Sequence, residues 1–170
     1  AIADEGGTVL YTSHVLDVVE RVCDRMAVLD KGVIQQVGSP QELYDRPGNL
    51  FVADFLGTAN ILEGNVEADG AARRFVTATG DSLTLPEENT GQGSNIVLRP
   101  QNISIARTPG RDSLPGTVRH SEFLGSQIRY LVAAGGTEIV VDQSHQAGQE
   151  RIPTGDEVHL LVNTVSAVVL

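Results

Sequence analysis

The sequence predicts an α/β segment over residues 1–57 followed by an all-β domain, a small barrel or sandwich, over residues 58–170. Three observations carry this. Apolar strands alternate with amphipathic helices as far as Gly57. From Ile61 onward no convincing helical period is found, and short runs of period two, separated by glycine-containing turns, take over. The transition falls near residues 57–60, which makes it a change of fold class and not only a loop.

Residues 8–13 read as a buried strand centred on Val9, Leu10 and Tyr11 and ending at His14. Val15, Val18, Val19 and Val22 then share one face of a helix, with Asp17, Glu20, Arg21 and Asp24 opposite. β-Branched valines are mediocre helix formers, so packing has to hold this helix. Met26–Leu29 is a second short strand, Asp30-Lys-Gly32 a turn, and Val33–Val37 the returning arm of a hairpin. Ser39-Pro-Gln-Glu42 is a capping box with proline at the first helical position, and Arg46-Pro-Gly48 ends the helix it opens. Leu50–Leu56 is a further helix, with Phe51/Phe55 and Val52/Leu56 one turn apart, stopped by Gly57.

Beyond that point, alternation runs through Phe75, Thr77 and Thr79, through Ile103 and Ile105, through Ile128, Tyr130 and Val132, through Ile139 and Val141, and through Val158, Leu160 and Val162. Asp69-Gly70, Gly80-Asp81 and Gly135-Gly136 read as tight hairpin turns. Residues 91–94 and 108–115 read as longer surface loops.

Composition narrows the function classes. The 170 residues carry a formal charge of −10, with one lysine (Lys31) and no basic cluster beyond Arg73-Arg74. Nucleic acid is therefore not an expected partner, since phosphate backbones require a basic patch. The single cysteine, Cys23, excludes an internal disulfide, and its place on the apolar side of its helix points to packing, not nucleophilic chemistry. No apolar run is long enough to span a bilayer as a helix. Lys31 precedes Gly32 and is not part of a glycine-rich loop ending in Gly-Lys-Ser/Thr, so no phosphate-binding loop is present. The chain opens at Ala1 with no initiating Met, which predicts a fragment.

His14 is the first candidate for chemistry. Ligands of α/β sheets sit at the carboxyl ends of strands, and an imidazole there can hold a water or donate to a phosphate oxygen. The plain alternative is an exposed strand-end histidine used in a turn. His120, His145 and His159 share no metal-ligand spacing, so no metal site is expected. His120 and His159 read as solvent-face strand positions, and His145 as part of a polar loop. Glu122, Arg129 and Asp142 could line a small-ligand site between strands, or form an ordinary polar sheet face. Arg99-Pro-Gln-Asn102 reads as a turn that fixes two strands.

The runs Thr8–His14, Cys23–Gly32 and Val37–Pro47 resemble, in order and spacing, the end of the nucleotide-binding domain of an ABC transporter ATPase, a P-loop NTPase-type domain. The resemblance implies that His14 is the switch histidine, which contacts the γ-phosphate of ATP and helps position the attacking water. Asn49–Asn60, Val97–Ile103, Gly116–Gly125 with Tyr130, and Gly155–Leu160 resemble the linker and OB-like TOBE (transport-associated) domain of importers. Val15 departs from the pattern: polyamine, iron and sugar importers usually carry an acidic residue after this histidine, and the run from Ser13 to Asp24 is more similar to drug exporters. The last segment, Asn163–Leu170, lacks the Pro-Glu pair many relatives carry.

The resemblance implies the C-terminal part of an ATP-hydrolysing importer subunit. Its intact parent would use ATP and Mg, act as a homodimer beneath transmembrane permease subunits, and lie peripherally on the cytoplasmic face of the membrane. This fragment, without the phosphate-binding loop, the signature motif or the acidic strand for magnesium, is expected to be inactive and to bind no cofactor alone. The linker leans toward polyamine or ferric-iron import. The rival readings are a non-catalytic small-ligand-binding regulatory β module and an exporter-type ATPase fragment.

Overall fold

The computed structural model describes residues 8–70, 72–148 and 150–170, without the side chains of Asp17 and Asp69. Helix α1 spans Leu16–Val22, strands β1 and β2 span Met26–Asp30 and Val33–Gly38, and helices α2 and α3 span Pro40–Asp45 and Leu50–Phe55. Strands β3 to β12 then follow as Asn60–Asp69, Ala72–Thr77, Ser82–Leu85, Asn95–Leu98, Ile103–Ala106, Ser113–Phe123, Gln127–Ala134, Thr137–Ser144, Glu157–Val162 and Val168–Val169. Short 3₁₀ turns at Pro100–Asn102 and Thr164–Ser166 precede β7 and β12.

The local chemistry accounts for the small elements. Ser39 accepts from the Glu42 amide while the Glu42 carboxylate accepts from the Ser39 amide, which completes the predicted capping box of α2. Asn49 caps α3 by accepting from Val52 N. Lys31 and Gly32 both have positive φ, as a two-residue type I′ turn between twisted strands demands, and Gly135-Gly136 does the same between β9 and β10. Gln36 holds both ends of the α2–α3 connection, donating to Arg46 O and accepting from Gly48 N.

The first strand expected from the sequence does not form. Residues 8–13 have no regular structure and are exposed, Leu10 at 91%. An apolar parallel-type strand needs paired neighbours and cover on both faces, and the described residues supply neither. Likewise, of the valine face of α1 only Val19 is buried; Val15, Val18 and Val22 are exposed. The sheet of this segment is the two-stranded antiparallel hairpin β1–β2, so the described chain is largely β. One loop also needs correction. Ser113–Pro115 belong to β8, with Leu114 fully buried. Gly91 and Gly93 lie flat against Val169 and Leu170, where any Cβ would strike backbone.

The β region consists of two five-stranded antiparallel sheets, in the order β12-β6-β3-β4-β5 and β7-β11-β8-β9-β10. They follow one plan twice: a long central strand, two hairpin strands on one side, a returning strand on the other, then a 3₁₀ turn. The last strand of each half crosses to the other sheet, β7 beside β11 and β12 beside β6. The duplication is visible in residues. Asn60-x-Leu62-x-Gly64-x-Val66 matches Asp112-x-Leu114-x-Gly116-x-Val118. Both glycines sit where the central strand changes partners, and a Cβ would meet Val76 O at 2.2 Å or Ala133 O at 2.9 Å. Leu62 and Leu114 enter one continuous core with Phe75, Ile96, Ile128, Tyr130, Ile139 and Leu160.

Asn60 and Asp112 perform the same task in opposite directions. Asn60, buried, donates to Val140 O (2.8 Å) and accepts from Val140 N (2.7 Å) on the outer edge of β10. Asp112 accepts from Thr84 N (2.6 Å) on the outer edge of β5. Each sheet thus has an open edge satisfied by a side chain from the other half, which answers the hydrogen-bonding demand of an edge strand.

Candidate functional site

His14 lies in a bend just before α1 and is exposed. Its neighbour Ser13 accepts from Val15 N at 2.9 Å, which turns the chain into the helix. Among the described residues its ring has no hydrogen-bond or ion-pair partner. His120 is exposed, His145 follows β10 with its ring edge-on to Phe123 at 5.0 Å, and His159 sits on β11. The Nδ1 atoms of His145 and His159 are closed off from solvent, so His159 is less of a solvent-face residue than its alternation predicts. The histidines are not gathered: among the described residues no three His, Cys, Asp or Glu side chains could hold one ion. Cys23 is half-buried and free.

Glu122, Arg129 and Asp142 stand side by side on β8, β9 and β10. Arg129 grips Asp142 with two parallel bonds of 2.8 Å. That hydrogen-bonded pairing raises the Arg129 pKa above its ordinary value, against a smaller effect of burial, with the charge of Asp142 and then Glu122 adding to the rise. The fork of the guanidinium is consumed by its neighbour. The trio therefore has the geometry of a polar sheet face rather than of a ligand site.

The residue that the sequence reading undervalued is Arg99. It does begin a turn, as expected, but its side chain is buried, at 5% exposure, between the two cores of the chain. One core is the β core above. The other is small: Val28, Leu43, Val52 and Leu56, flanked by Leu16, Met26 and Tyr44. Arg99 Nη1 donates to Ala53 O (2.9 Å), Gly57 O (3.1 Å) and Thr58 O (3.4 Å), and Nη2 donates to Tyr44 O (3.1 Å). Its guanidinium also stacks 4.0 Å above the Tyr44 ring, and Gln101 donates to the Tyr44 hydroxyl at 2.9 Å. Ala53 and Tyr44 lie in the last turns of α3 and α2, where carbonyls lack intrahelical partners. Burial lowers the Arg99 pKa, opposed by Tyr44, Asp45 and Asp54 nearby. The sequence signal was an arginine ending the apolar run Ile96-Val-Leu98, directly before a proline.

Comparison with known proteins adds the family context. Residues 96–170 match the TOBE domain model. The chain is 31% identical, over 99% of its length, to a spermidine/putrescine import ATP-binding protein of Pseudomonas aeruginosa, covering 46% of that protein. It is 34% identical, over 91% of its length, to an Fe(3+) ions import ATP-binding protein of Rhizobium etli, covering 43% of it. The chain thus spans less than half the length of these curated relatives. A solved structure of the cytoplasmic molybdate-binding protein ModG superposes with a TM-score of 0.50 at 19% identity, covering 64% of this chain and 93% of that one. At that identity the likeness is one of fold.

Proposed function

We propose, from the match of residues 96–170 to the TOBE domain model and the similarity of the chain to the ATP-binding proteins of importers, that the chain is the part of an ABC importer subunit that carries the switch histidine and the β domain. On this reading residues 1–57 are the end of the nucleotide-binding domain, with its α/β architecture, and residues 58–170 are the TOBE unit. The intact subunit would hydrolyse ATP as a homodimer against permease subunits on the cytoplasmic face of the membrane. Its cargo would be a polyamine or ferric iron, the solutes named for its relatives.

The match to importer subunits along almost the whole chain carries the reading. The exposed apolar residues of the first segment support it. Val9, Leu10, Val18, Val22, Leu29 and Ile34 are all more than 40% exposed, although their pattern is that of core positions. The remainder of a nucleotide-binding domain is the natural cover. His14 then takes the place of the γ-phosphate contact: an imidazole N–H can donate to a phosphate oxygen, and phosphoryl transfer relies on positioning and electrostatics. Magnesium, when bound in the parent, would neutralise phosphate charge. Among the described residues no three His, Cys, Asp or Glu side chains could hold it, so its ligands would come from elsewhere in the parent.

The test is ATP hydrolysis by the intact parent and by this chain. We expect turnover by the parent, a drop of about a hundredfold or more in kcat on His14→Ala, and no measurable hydrolysis by the chain alone. Undiminished turnover in the His14→Ala parent would remove His14 from the reaction.

A further inference from the structure

Residues 57–59 join the two cores. Gly57 has a φ of +132° and is followed by exposed Thr58. Such a stretch, with a glycine between two packed units, is where a hinge is usually found. Here, however, the carbonyls of Gly57 and Thr58 are both held by Arg99, from the β side. The same guanidinium holds the final turns of α2 and α3 and lies on the Tyr44 ring. One planar, five-donor group therefore engages the linker and both helices that precede it, a task that the point charge of a lysine performs poorly. Directly beside it, a cleft of about 410 Å³ lined by Tyr44, Arg46, Arg99, Gln101 and the turn at Val165–Ser166 separates the two units. Among the described residues the hydrogen bonds of Arg99 and Gln101 pin the units, with room to move beside them.

We infer that Arg99 is a latch that turns residues 57–59 from a hinge into a rigid joint, so that the α2–α3 unit and the β region move as one body. Tyr44 and Gln101 position the latch. If the proposed importer reading holds, the consequence is mechanical. Helix α1 starts two residues after His14 and packs on α2, so a displacement at the nucleotide would reach the β region as a rotation of the whole unit.

Backbone ¹⁵N relaxation on the full chain tests the latch without reference to ATP. In the unaltered protein, amides of α2–α3 and of β8–β9 share one rotational correlation time, and the order parameters of residues 57–59 stand near about 0.85. Arg99→Gln is expected to separate the two correlation times and to lower those order parameters below about 0.6, with both sets of amide resonances still dispersed. Arg99→Lys and Tyr44→Leu should fall between. A single correlation time and a rigid linker in Arg99→Gln would overturn the latch. So would collapse of the α2–α3 resonances in that variant, because Arg99 would then hold the fold of the small unit and not its orientation.

Discussion

The segment before Gly57 and the region after it use apolar residues of the same kinds to opposite effect. In the β region, Phe75, Leu83, Ile96, Leu114, Tyr130, Val132, Ile139 and Leu160 are all fully or almost fully buried in one core. In the first segment, Val18, Val22, Leu29, Val33, Ile34 and Val37 occupy equally regular positions and face outward. A pattern of apolar residues identifies an element and the face it wants to bury. Whether the face is buried depends on a second surface, which among the described residues the β region supplies throughout and the first segment supplies only for the small core of Val28, Leu43, Val52 and Leu56.

This contrast can be broken most directly with large-to-small substitutions. Phe75→Ala is expected to cost about 3–5 kcal/mol by urea denaturation, whereas Val18→Ala should stay within about 0.5 kcal/mol. A comparable loss at Val18 would mean that the first segment has more internal cover than its exposure shows. Asn60→Ala strips the partners from Val140 N and O at the sheet edge and should cost about 2 kcal/mol. The contrasting loss of the Arg129–Asp142 pair through Asp142→Asn should cost at most about 1 kcal/mol, because Arg129 is partly exposed and the pair is screened. Between these, Ser39→Ala removes the cap of α2 and should cost about 1 kcal/mol in the small unit. Its thermal melt, followed at α2–α3 amides, should shift more than the melt followed at β-region amides. Equal shifts would show that the two cores unfold together.

Much of this molecule was legible in the sequence, for identifiable reasons. The capping box at Ser39–Glu42, the two-residue turns at Lys31-Gly32 and Gly135-Gly136, and the alternation through Ile128, Tyr130 and Val132 are local signals, and the structure realises each of them. The strand at residues 8–13 was misleading because strand formation requires pairing that local pattern does not contain. Arg99 and Asp112 were hidden for a related reason: their partners lie 41 and 28 residues away or more. Asn60 marked the boundary in the sequence, yet its bond to Val140, 80 residues on, could not be read there. The internal duplication was open to inspection, since the paired runs at Asn60–Val66 and Asp112–Val118 share leucine, glycine and valine in step. Of the candidate chemistry, His14 is a candidate through the resemblance of its flanking runs, while the contacts of Arg99 with Tyr44, Ala53, Gly57 and Thr58 emerge only from the packing.

The exchange of final strands between the two halves has a consequence for how the chain comes into being. The sheet begun at Asn60 lacks its outermost strand until Val168-Val169 arrives, the last strand among the described residues. A ribosome would have to carry synthesis from Asn60 on through Val169 before that sheet could close. Its half-built form would wait with the outer edge of β6 unpaired. Such late, distant closure slows folding, and it makes Val168 and Val169 matter more to the start of the β region than to the end of it.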